Sequence, residues 1–173
     1  RFADGAKRNP NGEVFMKNRE TDEWLKQNER STRNFLRKWG HFCKHDSLMK
    51  PIIPPKWDIG FEIKNGNSQI LNLLEPWCSH IRIDMSDADI KNYIDSEQKN
   101  TKIDLKSRIN SDKKCDIVVS FDANKLTKYS FNLITEFSNI LKESHIEVGE
   151  FELDIFKFRV ENVRTYEMGL VKL

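Results

Sequence analysis

The sequence predicts an α/β protein: a basic N-terminal helical arm, then a small three-layer or two-layer sandwich with about four mostly parallel strands. Three observations carry that expectation. From residue 57 onward, short apolar runs alternate with segments of helical period, the pattern of strand, crossover and strand. Before it, Met49-Lys50-Pro51-Ile52-Ile53-Pro54-Pro55 forbids helix, because proline lacks an amide donor and pushes its predecessor extended. Charge is also divided: residues 1–56 carry 13 Lys/Arg against 7 Asp/Glu, and residues 57–173 carry 16 against 20, within a net charge of +2. The expected organisation is a basic arm and helix over 1–50, a proline-rich linker over 51–56 and an α/β domain over 57–173.

Each element has its own signal. Residues 1–19 mix Gly5, Asn9, Pro10, Asn11, Gly12 and Asn18 with cations, which favours an exposed arm. Trp24, Leu25, Phe35, Leu36 and Trp39 recur at helical spacings, with Asp22 and Glu23 in the first turn, so a helix is expected over about 21–46 with a break near 30–32. Asp58 to Ile63 reads as a strand, Lys64 to Asn67 as a turn, and Ser68 to Leu74 as a short helix stopped by Pro76. His80 to Asp84 reads as the second strand, Ala88 to Gln98 as a helix and Leu105 to Ile109 as a helical turn. Asp116 to Phe121 is the strongest strand, and its unbroken apolar centre predicts burial on both faces. Leu126 to Ser144 is an amphipathic helix. Phe151 to Val160 alternates apolar and charged residues, which predicts one edge or antiparallel strand with a wet face.

Eleven Phe and four Trp in 173 residues supply enough large apolar surface for a core. No apolar run approaches the roughly 20 residues that span a bilayer, and no basic-then-apolar leader opens the sequence, so a soluble protein is expected. Cys43, Cys78 and Cys115 are odd in number and too far apart for a C-x-x-C pair, which points to a reducing, cytoplasmic setting.

Chemistry-bearing residues gather where strands end. Asp84-Met85-Ser86-Asp87-Ala88-Asp89 follows the second strand, the carboxyl-end position where α/β sheets bind ligands. Such oxygens suit a hard cation, but Ser86 or Asp87 also makes an ordinary acidic helix cap, and that reading is preferred. His41 and His45 stand one helical turn apart, yet lack the intervening Glu and a third ligand of a zinc motif, so a cationic helix end is preferred. His80 and His145, lying singly beside strands, are read as structural or exposed. Lys64-Asn65-Gly66-Asn67-Ser68 joins strand to helix without the further glycines of a dinucleotide fingerprint or P-loop, and is read as a turn with a cap. Trp39, Trp57 and Trp77 are read as packing residues. Candidate ligand-binding positions at strand ends are therefore Asn65, Asp84 and Asp122, with no metal ligands assigned.

Asn28 with Phe35-Leu36-Arg37-Lys38-Trp39-Gly40 resembles the N-x(n)-F-x-x-KWG ending of the nucleotide-sugar-binding domain in family-2-type glycosyltransferases. The likeness covers the first 40 residues. It implies that Gly5-Ala6-Lys7-Arg8 is the basic loop over the donor diphosphate, with Lys7 and Arg8 touching phosphate, and that Thr21 to Arg33 is the helix before the ending. It further implies about 200 residues of catalytic domain upstream, by ordinary domain size. The family's D-x-D element matches Asp87-Ala88-Asp89 in letters but precedes the ending in the family, whereas here it follows. The expectation is thus the C-terminal portion of a nucleotide-sugar-dependent glycosyltransferase, itself non-catalytic. No cofactor is assigned to this chain, and a divalent metal is expected for the full-length transferase. The α/β domain would take a glycan acceptor, another ligand or a partner, and Phe35, Leu36 and Trp39 would offer packing surface to a partner domain or subunit. Two readings stand beside it: a non-catalytic interaction module whose basic arm docks on nucleic acid or an acidic partner, and a small nucleotide-dependent α/β enzyme using Asp84 and Asp122.

Overall fold

The computed structural model describes residues 21–42 and 44–166, and the chain divides into two units at Arg33/Asn34. In the first unit, residues 21–33 begin a helix. Thr21 caps it, its hydroxyl accepting from the Trp24 amide at 3.3 Å. This helix, α1 (Asp22–Trp39), carries its acids in the first turn and Arg37 and Lys38 in the last, as the helix dipole favours. No break interrupts residues 30–32, and the helix ends well short of residue 46. The stop is Gly40, whose φ of +77° is a left-handed conformation that glycine adopts without a Cβ penalty. Beyond it, β1 (Lys44–His45) pairs antiparallel with β2 (Pro51–Ile52). His41 and His45 therefore do not share a helical face.

In the second unit, the remaining elements in chain order are β3 (Lys56–Trp57), β4 (Ile59–Lys64), α2 (Ser68–Leu74), β5 (His80–Ile83), α3 (Asp87–Glu97), α4 (Leu105–Arg108), β6 (Ile117–Asp122), α5 (Lys128–Glu143), β7 (Gly149–Leu153), β8 (Phe156–Val160) and β9 (Thr165–Tyr166). The main sheet has five strands in the order β5-β4-β6-β8-β7. β4 runs parallel to both β5 and β6, while β8 is antiparallel to β6 and to β7. The mixed α/β class holds, with a parallel centre and an antiparallel flank. The count is five rather than four because residues 151–160 are a hairpin, turned at Asp154, which adopts a φ of +55°. Within the proline-rich stretch, β2 and β3 each find a short partner, β1 and β9 respectively.

The helices take their starts from local caps. Asn67 accepts from the amides of Gln69 and Ile70 at the head of α2. Ser86 does so from Asp89 for α3, and Thr127 from Ser130 for α5. α5 then buries Ile134, Phe137 and Leu141 against the sheet. The Phe137 ring stands edge-on to Phe61, Phe156 and Phe158, with centroids 6.5, 5.1 and 5.1 Å away. Each such buried aromatic contributes about 1.5–3 kcal/mol of transfer free energy.

The core strand residues all come from one side of the sheet: Phe61, Ile63, Ile81, Ile83, Ile117, Val119, Phe121, Phe156, Phe158 and Val160. The residues between them, Glu62, Arg82, Val118, Ser120, Lys157 and Arg159, are half-buried or exposed. The sandwich thus has two layers, helices on one face and a polar sheet surface on the other. Val118 corrects the expectation that β6 is buried on both faces, since the strand alternates buried and half-buried positions.

The two edges of the sheet differ. At the outer edge of β5, Ile109 bridges to Ile81, and the Asn110 side chain both accepts from the Ile83 amide (2.7 Å) and donates to its carbonyl (3.1 Å). At the other edge, β7 pairs with β8 alone among the described residues.

Candidate functional site

Register places the chemistry. Because β4 and β6 align Lys64 with Asp122, and β5 aligns Ile83 with Ile63, the next residue Asp84 falls beside Lys64. The sequence Asp84, Lys64, Asp122 thus runs across the carboxyl ends of three adjacent parallel strands. One step down, Arg82, Glu62, Ser120, Lys157 and Glu152 form the next row, by the same pairings. A cavity of about 750 Å³ opens over the first row and over the second as far as Lys157, with Asn110, Ser111, Asp112 and Lys125 completing its polar lining. Four Lys or Arg side chains face four Asp or Glu side chains around it.

Turn chemistry holds the row in place. Asn65 adopts a φ of +55°, a conformation Asn tolerates, and its side chain hydrogen-bonds to Asp122. That contact, followed by the Asn124 amide at 2.9 Å, holds the Asp122 carboxyl below its usual range. Next to Asn65, the Gly66 amide donates to the Asp84 carbonyl at 2.9 Å, and the Asp84 amide donates to Ile63 at 2.9 Å. These bonds extend the β4 and β5 pairing past the formal strand ends.

The three strand-end candidates Asn65, Asp84 and Asp122 are therefore brought to one end of the sheet, while Lys7 and Arg8 lie outside the described residues. The Asp87-Ala88-Asp89 segment opens α3 under its Ser86 cap, and Ser86 also donates to the Asp89 carboxylate at 2.6 Å. Among the described residues no group of three or more His, Cys, Asp or Glu side chains is arranged to hold a metal. Lys64, Arg82, Ser120 and Lys157 were not singled out from sequence. The usable signal was period two: Lys64 and Glu62, Asp84 and Arg82, and Asp122 and Ser120 must share a face once their strands are placed.

A second cavity, of about 710 Å³, continues on the same sheet face toward the amino ends of β4 and β6, lined by Gly60, Val118, Arg159 and Arg164 among others. There Asp116 accepts from Arg164 at 2.9 and 3.1 Å and from the Tyr166 hydroxyl at 2.8 Å. Arg164 first, and Tyr166 after it, pull the Asp116 carboxyl below its usual range against the effect of burial. His80 bonds to Ser111 at 3.1 Å, and burial followed by Arg82 lowers its pKa, which favours the neutral ring.

On the helical side, Glu75 is wholly buried and gathers Arg37, Arg108 and Tyr93 at 2.7, 2.7 and 3.0 Å. Burial alone would lower the Arg37 pKa, and Glu75 with Glu97 more than offsets it, so the guanidinium stays charged. Of the ending that resembles the transferase signature, Leu36 joins the core at 5% exposure, Phe35 is 37% exposed and Trp39 is half-buried.

No family model, curated protein or solved structure matches this chain. No described helix is long and apolar enough to cross a membrane.

Proposed function

We propose that the α/β domain binds the glycan acceptor of a nucleotide-sugar-dependent glycosyltransferase, at the carboxyl ends of β4, β5 and β6. The observation that supports this most is the Asp84, Lys64, Asp122 row at the mouth of a charge-balanced cavity. Planar carboxylate and amide groups beside cations offer paired donors and acceptors to vicinal hydroxyls, the chemistry by which a polyol is held. Equal numbers of opposite charges give a polyanion little counterion release, which disfavours nucleic acid at this face. In this reading the domain binds and does not itself transfer sugar, and the resemblance of Asn28 and Phe35 to Gly40 supplies the link to a transferase.

The test is titration of the chain with a panel of neutral, amino and acidic glycans, followed by amide chemical shifts. Perturbations at Lys64, Asp84 and Asp122 that disappear in the Asp84→Asn, Asp122→Asn double variant are expected, together with no turnover of nucleotide sugars by this chain. A panel without a binder, or binding that the double variant leaves intact, refutes the assignment.

A further inference from the structure

The cavity at the strand ends and the one toward the amino ends share Glu62, Arg82 and Asp112. They lie on one face of the sheet and follow the same two strands. From Asp58 to Lys64 is six residue steps, so the path is about 20 Å long at about 3.3 Å per step. Its middle is low: Val118 and Ser120 project from β6 with short side chains, whereas Lys157 and Arg159 stand along β8 on one side. On the other side stand Arg82 and the segment after Asn110, which returns over the sheet. Cys115 of that segment lies close above Gly60, where a Cβ would come within 3.0 Å of its Sγ.

From this arrangement we infer that the acceptor is a linear oligosaccharide lying along β6, not a single sugar seated at the strand ends. This extends the acceptor reading and rests on it. The strands under the path, β4 and β6, are each paired on both sides, so an extended peptide lying there would lack the main-chain pairing that such peptides use on sheets. A chain of sugar rings needs no such pairing. Its hydroxyls repeat along its length, and so do the polar side chains here: the Asp84 and Asp122 end, then Glu62 with Ser120, then Arg159 at the far end. The alternating exposed pairs Arg82 with Glu62 (3.8 Å) and Arg159 with Glu161 (3.2 Å) are loosely held and can exchange partners for ligand hydroxyls.

The experiment is calorimetric titration of the chain with a length series, from monosaccharide to hexasaccharide, of the glycan type that binds best in the panel. Affinity is expected to rise about fivefold for each added unit, the worth of one net hydrogen bond, and to level off once the groove is filled. Val118→Trp, which blocks the middle, should abolish the rise with length. Arg159→Ala, an exposed change that leaves the core intact, should lower affinity most for the longer members. Affinity independent of length, or long-chain affinity untouched by both variants, overturns the inference while the acceptor reading stands. Failure of every glycan to bind overturns both.

Discussion

Arg37 and Glu75 form a 2.7 Å ion pair in which neither side chain has any solvent exposure, joining the last turns of α1 to the segment after α2. Two charges taken from water are held only because each has further partners: Glu97 at 2.6 Å for Arg37, and Arg108 and Tyr93 for Glu75. Glu75→Gln leaves two guanidinium groups facing a neutral amide. It is expected to cost about 3–5 kcal/mol, whereas Arg37→Met, which leaves Glu75 with Arg108 and Tyr93, should cost less. Urea unfolding of the two variants decides the order, and an equal or reversed order would show that Glu75 is not the hub.

The transferase-like ending makes a contrast within two adjacent residues. Leu36→Ala removes a core side chain and should destabilise by about 2–4 kcal/mol. Phe35→Ala, at a partly exposed position, should cost less than about 1 kcal/mol. Melting curves showing comparable losses would mean that Phe35 is covered in solution.

Acid should act through Asp116. Its folded-state pKa lies below the unfolded value of about 3.9, so its contribution is fully present above that pH and is lost as pH falls through the lower folded value. Asp116→Asn is expected to lower the melting temperature at pH 7 and to flatten the decline below pH 4. A variant curve parallel to the parent through that window would remove Asp116 from the acid response.

Gly66→Ala probes the turn that fixes the site. A Cβ there would enter the van der Waals space of the Ile83 side chain, 2.5 Å from its Cδ1, and Ile83 is too enclosed to swing away. A loss of about 1–3 kcal/mol is expected, with shifted amide resonances at Asp84. Unchanged stability would mean that the turn is looser than the contact implies.

The central strands and their helices were legible because caps and strands speak locally: Asn67, Ser86 and Thr127 mark helix starts, and Ile117 to Phe121 marks a strand. The terminal hairpin was not, because its turn at Asp154 lacks the Asn-Gly or Asp-Gly dipeptide that usually announces one. A trace was present in Ile155-Phe156, two apolar neighbours where strict alternation would put one. The fall-off of α1 after Trp39 was missed because the cations and aromatics of residues 41–46 suit a helix end, while Gly40 had already stopped it. At the site, Asp84 and Asp122 could be found as strand ends, but their flanking of Lys64 depends on β5 and β6 both pairing with β4. That order is set by side-chain packing between distant residues, which no local pattern records.

The unlike edges of the main sheet set a limit on how copies of this chain can associate through their backbones. Fibres require that each added strand leave another edge for the next. Here Asn110 occupies the β5 side with side-chain bonds to Ile83, so among the described residues the main sheet leaves β7 as its open edge. Two copies joined β7 to β7 would present a β5 edge, held by Asn110, at each outer side of their shared main sheet.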